Sequence, residues 1–509
     1  MNAREIIFEV LLELEQNPEQ YTNELLFAVL DKYAYLDPRD RGLIKRIVQG
    51  VVEQRIRLDY CLDLFSKVPS RKMKKPVRAI LRMGAYQILF LDQIPDSAAC
   101  NEAVSLAKKK HLGNLSGFIN GVLRTLSREK EKIAYPDPEK DPIRSFSVRY
   151  SWPEDLVRFV NRSYDMDTMQ RMGETFLKEP PLSVRLTAGR TCDPGTGTAA
   201  EPEVVNMAGT ETVNMAEPGT SNSIFAESDL EMRWEASGIQ VSPHPFLPYA
   251  RCLAGVNGVA SLAGFEEGAF QVQDISSMLV GEAAGALLDS MAEAALPGDG
   301  AAGMLKVLDV CAAPGGKSIH TAERLGENGT LTAFDISERK LERIRENAQR
   351  MRITNLCVQQ KDASMRDPSL VGSADLVLAD VPCSGLGVLG RKPDIKYHWT
   401  REGQAELQVI QKKIVKNVSE YVRPGGYFLY STCTIANSEN SEMVEWIGQN
   451  TDLAVRDLRM CYRKETLSAI GDKGFSEAEN GVAYLQLIPG VHPCDGFFIA
   501  LFQKTDKKE

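Results

Sequence analysis

The sequence has no run of about 18 apolar residues, the length a helix needs to cross a bilayer, so no membrane partner is expected. Its ten cysteines include no C-x-x-C pair and follow no regular spacing, which argues against a zinc site and a disulfide framework alike. The five histidines, His111, His244, His320, His398 and His492, show no ligand spacing either, so no metal is expected. Neither G-x-G-x-x-G nor G-x-x-x-x-G-K-[ST] occurs, which removes the common loops for pyrophosphates and nucleoside triphosphates. The opening MNAREIIFEVLLELEQ interrupts its apolar residues with Arg4, Glu5, Glu9 and Glu13 and so lacks the pattern of a signal peptide, from which a cytoplasmic location follows as an expectation.

What is present is ordinary in bulk: 509 residues, 43% hydrophobic and 25% charged, suit a globular protein of about three domains. The net charge of −9 is unevenly spread. Residues 67–132 carry 14 Lys or Arg against 5 Asp or Glu, including RKMKK at 71–75 and KKK at 108–110, which points to an anionic partner, most simply nucleic acid. Residues 1–140 carry apolar residues at helical spacing throughout, beginning with Ile6, Ile7, Val10, Leu11 and Leu14, and predict a bundle of about six helices. Residues 145–270 predict a small α/β subdomain, with SWPEDLVRFV as helix and PPLSVRLT as strand. It is interrupted at 191–232 by eight acidic residues, no Lys or Arg, and many Gly, Pro, Thr and Ser, a composition that predicts disorder until order returns near Trp234.

Residues 271–505 alternate strand and helix after a Gly/Ala-rich linker, LPGDGAAG. Such alternation predicts a Rossmann-like parallel sheet covered by helices, with ligands at the carboxyl ends of its strands. VAYLQLI and GFFIALFQ should close it as an antiparallel hairpin at the sheet edge. The first strand runs into DVCAAPGGK, a glycine turn opening a helix, whose residues Cys311, Ala312, Ala313, Pro314, Gly315, Gly316 and Lys317 can bring a ligand close to backbone N–H groups. Asp335 ends the next strand, 19 residues after Gly316, where an acid can take two ribose hydroxyls. A nucleoside cofactor without a pyrophosphate fits best, and S-adenosylmethionine is the obvious one. Asp309, Asp362 and Asp380 stand at or near three further strand ends and should meet Asp335 on one rim, Asp362 beside the adenine and Asp380 beside the reacting groups. Two cysteines follow adjacent strands, Cys383 in DVPCSG and Cys433 in STCT. Cys61, Cys100, Cys252 and Cys357 are expected to be small buried hydrophobes.

DVCAAPGGK, DVPCSG, RKPDIK, STCT followed by Glu439 and Asn440, and DGFF together resemble the RNA 5-methylcytosine methyltransferases. The helical front half, with FINGVLR at 118–124, looks like a NusB-type RNA-binding domain, a combination found in the Sun-like 16S rRNA (cytosine-5) enzymes. The resemblance covers nearly the whole chain outside 191–232, and departs from the family at 185–187, where Arg-Leu-Thr replaces Arg-Val-Asn. It implies a class I methyltransferase fold and a monomer acting on small-subunit rRNA. It also implies Cys433 as the nucleophile toward cytosine carbon 6, Cys383 as the residue that aids product release, and Asp380, assisted by Lys317, as the group that binds the cytosine edge. The loop at 391–396 is expected to wall the pocket and touch RNA backbone. Two other readings remain: the same chemistry on tRNA, and an antitermination factor that binds RNA without catalysis.

Overall fold

The computed structural model describes residues 2–187, 227–256, 258–294, 304–477 and 483–505. Residues 191–226 of the expected insertion and the LPGDGAAG linker lie outside the described residues. Residues 227–232 are not part of a disordered stretch but open a helix, Glu227–Ala236. Leu230 and Trp234, one helical turn apart, are buried, and the Trp234 indole N–H donates to the Ala263 carbonyl at 3.0 Å; burial of those two side chains outweighs the acidic composition around them.

The chain forms two compact units, Met1–Glu179 with Val388–Gln404, and Pro180–Gly387 with Ala405–Glu509. The first is helical. Seven helices cover residues 3–129, one more than expected, because DRGLIKRIVQGVVEQRIRLDYCLDLF at 40–65, which reads as one helix, breaks at Gln54 into Pro38–Glu53 and Arg55–Phe65. The break is held from far along the chain. Ile56 N–H donates to Ser151 Oγ at 2.8 Å, and Lys396 Nζ donates to the Glu53 carbonyl at 2.7 Å. These partners replace helical hydrogen bonds that a continuous helix would have made. Packing of Ile6, Ile7, Ile44, Ile47, Leu58, Ile80, Leu81 and Leu123 forms the core of the bundle.

The loop at 391–396 therefore presents only part of its charge: Lys392 is exposed and Arg391 half-buried, whereas the other two charges turn inward. Asp394 is buried and accepts from the Thr22 N–H at 2.6 Å, and Lys396 is 3% exposed beneath the ring of Tyr397. Burial, outweighing the attraction of Glu53, pulls Lys396 down to about 7. An unfolded chain keeps that amine protonated to about pH 10, so between the two values it binds a proton that the folded protein does not, and stability rises with pH. We expect a slope of up to about 1.4 kcal/mol per pH unit in this window, and Lys396→Met should remove it. Urea midpoints measured at about pH 7 and pH 9 check this; equal slopes in the two proteins would contradict it.

The second unit contains two sheets. The smaller is antiparallel, in the order β2-β3-β1-β4, from β1 (Leu182–Leu186), β2 (Gln240–His244), β3 (Leu247–Ala254) and β4 (Phe270–Val272). The larger has a parallel core of β5 (Leu305–Asp309), β6 (Gly329–Asp335), β7 (Leu356–Gln360), β8 (Ala374–Asp380) and β9 (Val422–Thr432), ordered β7-β6-β5-β8-β9. β10 (Leu453–Arg456), β11 (Phe475–Glu477), β12 (Ala483–Leu487) and β13 (Phe497–Lys504) complete it. β12 and β13 pair antiparallel as the sequence suggests, with β13 lying inside against β9 and β11 forming the edge.

Apolar residues cover both faces, Leu279, Ala283, Ile319, Ala322, Leu341 and Ile344 on one and Ile414, Val415, Val418, Met443 and Ile447 on the other. The order of strands reverses between β5 and β8, so their connections leave toward opposite faces and a crevice opens at their carboxyl ends. Asp309 and Asp380 end those two strands. Cys61 and Cys100 are buried as expected, but Cys252 is half-buried and Cys357, on the outermost parallel strand, is exposed.

Candidate active site

Beyond Asp309 the chain turns sharply before the helix Gly316–Leu325. Ala312 N–H donates to the Phe334 carbonyl at 2.8 Å, and Gly315 N–H to the Ala312 carbonyl at 2.8 Å, so the turn is stitched to β6 and to itself. Gly315 has φ of +98°, a conformation that side chains resist, and a Cβ there would press against Ile344 at 3.1 Å. Asp335 is held from below by the Ala313 N–H at 3.2 Å and the Ser337 N–H at 3.1 Å. Each of its oxygens keeps a further lone pair for a ligand. Asp309 is buried; Ser318 Oγ donates to its Oδ2 at 2.6 Å, while Oδ1 has no hydrogen-bond partner. Burial pushes its carboxyl up to about 7.

Cys311 ties the rim together electrostatically. Burial first, and then the carboxylates of Asp309, Asp380, Asp335 and Asp362, hold its thiol well above the ordinary range. All four acids expected to converge thus act on one sulfur, and that sulfur keeps its proton. Asp362 is half-buried two residues past β7, where its Oδ1 accepts from the Ser364 N–H at 2.8 Å.

At β8 and β9 the reactive groups meet. Lys317 Nζ donates to Asp380 Oδ2 at 2.6 Å, and Ser431 Oγ donates to Asp380 Oδ1 at 2.7 Å. Burial works against the Lys317 cation, but Asp380, then Cys433 and Asp309, outweigh it and keep the ammonium above its ordinary range. The Cys383 and Cys433 sulfurs, neither of them in a disulfide, lie 3.3 Å apart, and either can donate to the other. Hydrogen bonding to Cys433, followed by burial, holds the Cys383 thiol well above the ordinary range.

Behind the cysteines is a polar network that the sequence motifs did not reveal. Glu439 is 0% exposed and accepts from the Ser384 N–H at 2.9 Å and from Gln411 Nε2 at 2.8 Å; the Ser384 hydroxyl is bonded to it and lies 2.8 Å from Thr434 Oγ1. Asn440 accepts from Thr432 Oγ1 at 2.6 Å and donates to the Thr434 carbonyl at 3.0 Å. The two cysteine loops are thus joined through one buried carboxylate, a geometry in which satisfied polar groups fix position. Gly387 N–H donates to the Cys433 carbonyl at 3.1 Å, and a Cβ on Gly496 would sit 2.7 Å from the Gly387 Cα. That close approach explains the glycine of DGFF.

Comparison with known proteins decides the family. Residues 302–503 match the model of the 16S rRNA methyltransferase RsmB/F family, and residues 1–128 match the NusB family. The probable ribosomal RNA small subunit methyltransferase B of Bacillus subtilis is 32% identical over 506 residues, covering 99% of both chains. The chain belongs to this methyltransferase family. Its counterpart in Synechocystis is 30% identical across 99% of this chain and 100% of its own, and the Vibrio cholerae ribosomal RNA small subunit methyltransferase B is 28% identical across 92% and 90%. The crystal structure of PH0851 shares the fold over 99% of both chains, with a TM-score of 0.70 at 19% identity.

Membership makes the protein a methyltransferase that uses S-adenosylmethionine, and the rim fits that cofactor. A Cβ on Gly316 would meet only Gln273, at 3.5 Å, so the backbone there is open to a ligand. Asp335 is presented with free lone pairs, and the unpartnered Asp309 Oδ1 faces no hydrogen-bond donor of the protein. Arg185, at the family departure, is buried, pairs with Glu323 on the helix Gly316–Leu325, and donates to Gln273 Oε1 at 3.2 Å. Thr187, the substituted position, donates its hydroxyl to the Ala269 carbonyl at 2.9 Å.

Proposed function

We propose that this protein methylates carbon 5 of one cytosine in small-subunit rRNA through a covalent Cys433 adduct. The observation that carries this reading is the pair of cysteine sulfurs 3.3 Å apart beside the Lys317–Asp380 ion pair. Cytosine carbon 5 is too weak a nucleophile to take a methyl group unaided. Addition of the Cys433 thiolate at carbon 6 breaks the 5,6 double bond and places the electron pair on carbon 5. Two features favour that thiolate: the Lys317 ammonium, which stays protonated, and the S–H of Cys383. Asp380 accepts from the cytosine amino group, and the Lys317–Asp380 pair stabilises charge that develops at ring nitrogen 3 as the thiolate adds. When bound, S-adenosylmethionine supplies the electrophilic methyl group, with Asp335, Asp362 and the loop from Cys311 to Lys317 to hold its nucleoside and amino-acid ends. A base then takes the carbon-5 proton, its C–H electron pair re-forms the 5,6 double bond, and Cys433 departs with the C–S pair, receiving the Cys383 S–H proton.

A base inside a helix cannot reach such a crevice, so the target cytosine must leave its stack, which costs least in a loop or an opened helix. The names of the relatives support small-subunit rRNA as the carrier. Mapping 5-methylcytosine across cellular RNA with and without this protein tests the reading. Loss of one small-subunit position is expected, and loss confined to tRNA would overturn it. Transfer of labelled methyl groups to rRNA by the purified protein separates the enzyme from a factor that only binds RNA.

A further inference from the structure

The count of basic residues in 67–132 overstates the free charge, and the structure shows where that charge remains. Seven of the fourteen are neutralised: Arg78 and Arg82 by Glu15, Arg82 also by Asp59, Lys109 by Glu5, Lys110 by Glu9, Lys130 by Asp96, and Arg128 and Lys132 by Glu129. Four of these acids, Glu5, Glu9, Glu15 and Asp59, come from outside the segment. Lys67, Arg71, Lys72, Lys74 and Lys75 are exposed, and none lies within 4.0 Å of a carboxylate among the described residues. Five of the seven unneutralised cations therefore fall in one turn of nine residues.

The turn is rigid. Ser70 is 3% exposed; its N–H donates to Asp63 Oδ1 at 2.5 Å, and its carbonyl accepts from Arg78 Nη1 at 3.3 Å. Met73 is buried beside it, and its N–H closes the turn on the Ser70 carbonyl at 3.1 Å. Asp63, the acid best placed to neutralise the loop, is spent on its backbone. The buried Ser70 and Met73 pin the turn from within while the cations between and around them point to solvent.

Stability does not explain these residues. Lys74 and Lys75 occupy the cap and first position of the helix Lys75–Phe90, which has no side-chain cap and no acid in its first turn. Cations there oppose the helix dipole. A preformed row of cations with no neutralising acid suits a partner that brings closely spaced negative charge and asks for no particular side chain.

We propose that the turn at 67–75 is a phosphate-backbone contact that holds RNA without regard to sequence, separate from the pocket that selects the base. This deepens the proposed rRNA reading and rests on RNA being the substrate. The test uses the full chain with Arg71→Gln, Lys72→Gln, Lys74→Gln and Lys75→Gln combined, and a small-subunit rRNA transcript as probe. Binding is followed by fluorescence anisotropy across a potassium chloride series, without cofactor.

Four lost phosphate contacts should lower the slope of log K against log salt by about 3, and weaken binding at about 0.15 M salt by about tenfold or more. The melting temperature should stay level or rise slightly, because the dipole is relieved. A comparison protein with Arg339, Lys340 and Arg343 neutralised, all exposed on the helix Glu338–Arg350, should keep nearly the full slope. An unchanged slope in the first variant, or an equal loss per charge in the second, overturns the proposal. Because methyl transfer is not read, a wild-type chain that bound rRNA with this salt dependence but left it unmethylated would sink the enzymatic reading and leave this one standing.

Discussion

Cys433→Ala should abolish both methyl transfer and the covalent adduct with RNA, whereas Cys383→Ala should accumulate an adduct that cannot resolve. The asymmetry follows from the roles proposed for the two sulfurs. The hydrogen bond to Cys433 and burial hold the Cys383 thiol above its ordinary range, which suits donation to a leaving group. Removing a nucleophile typically costs several orders of magnitude in turnover, on the order of 10⁴-fold or more. Denaturing gels with labelled RNA resolve the outcome: a slow-migrating band absent in Cys433→Ala and enriched in Cys383→Ala. The opposite pattern would exchange the two roles. Because both side chains are small and the surrounding hydrogen bonds run through Ser384, Thr434 and Glu439, neither substitution should unfold the protein.

Asp380→Asn should slow turnover by about 10²- to 10⁴-fold, the range of a group that assists proton movement, while leaving cofactor affinity within a few-fold of wild type. The asparagine oxygen can still accept from Lys317, and its amide N–H can donate to the Ser431 hydroxyl in place of the bond that Ser431 donates to the carboxylate, so the local packing survives. What it loses is the negative charge that keeps the buried Lys317 protonated. With that charge gone, burial dominates and the Lys317 value falls, so any residual activity should decline at a lower pH than in wild type. Adduct formation should slow in the same proportion, since the pair acts as the thiolate adds. Pre-steady-state adduct formation at normal speed in Asp380→Asn would show that the carboxylate acts at another step.

The parallel sheet, the order of its motifs and the convergence of four aspartates on one rim were legible because each is written locally. A strand of apolar residues, a glycine turn and a terminal acid lie within a dozen positions of one another. What escaped was set by distant partners. The helix break at Gln54 depends on Ser151, 95 residues from the Ile56 amide it caps, and on Lys396, 343 residues from Glu53. The same distance hid the fate of Asp394 and Lys396, read in sequence as part of an RNA-facing loop and buried in the fold. The excess of positive charge in 67–132 was real as a count, yet half of its cations are paired with acids, most of which only folding brings near. Glu439 gave a weak signal, an acid shortly after the STCT motif, and its role became visible only once Ser384 and Gln411 were seen to bond to it.

The excursion of Val388–Gln404 into the helical unit bears on how the protein came to be assembled. A helical domain added to a methyltransferase by simple fusion would be joined to it by one covalent link, and could be cut away at that link. Here a segment between the two cysteine motifs belongs to the helical unit, with Asp394 bonded to Thr22 and Lys396 to Glu53. A chain beginning at Pro180 would retain both buried charges and lose the groups that accommodate them. The two halves of the sequence are thus interdependent in folding: a change that fits the helical domain must also fit a stretch of chain that leads from one cysteine to the other.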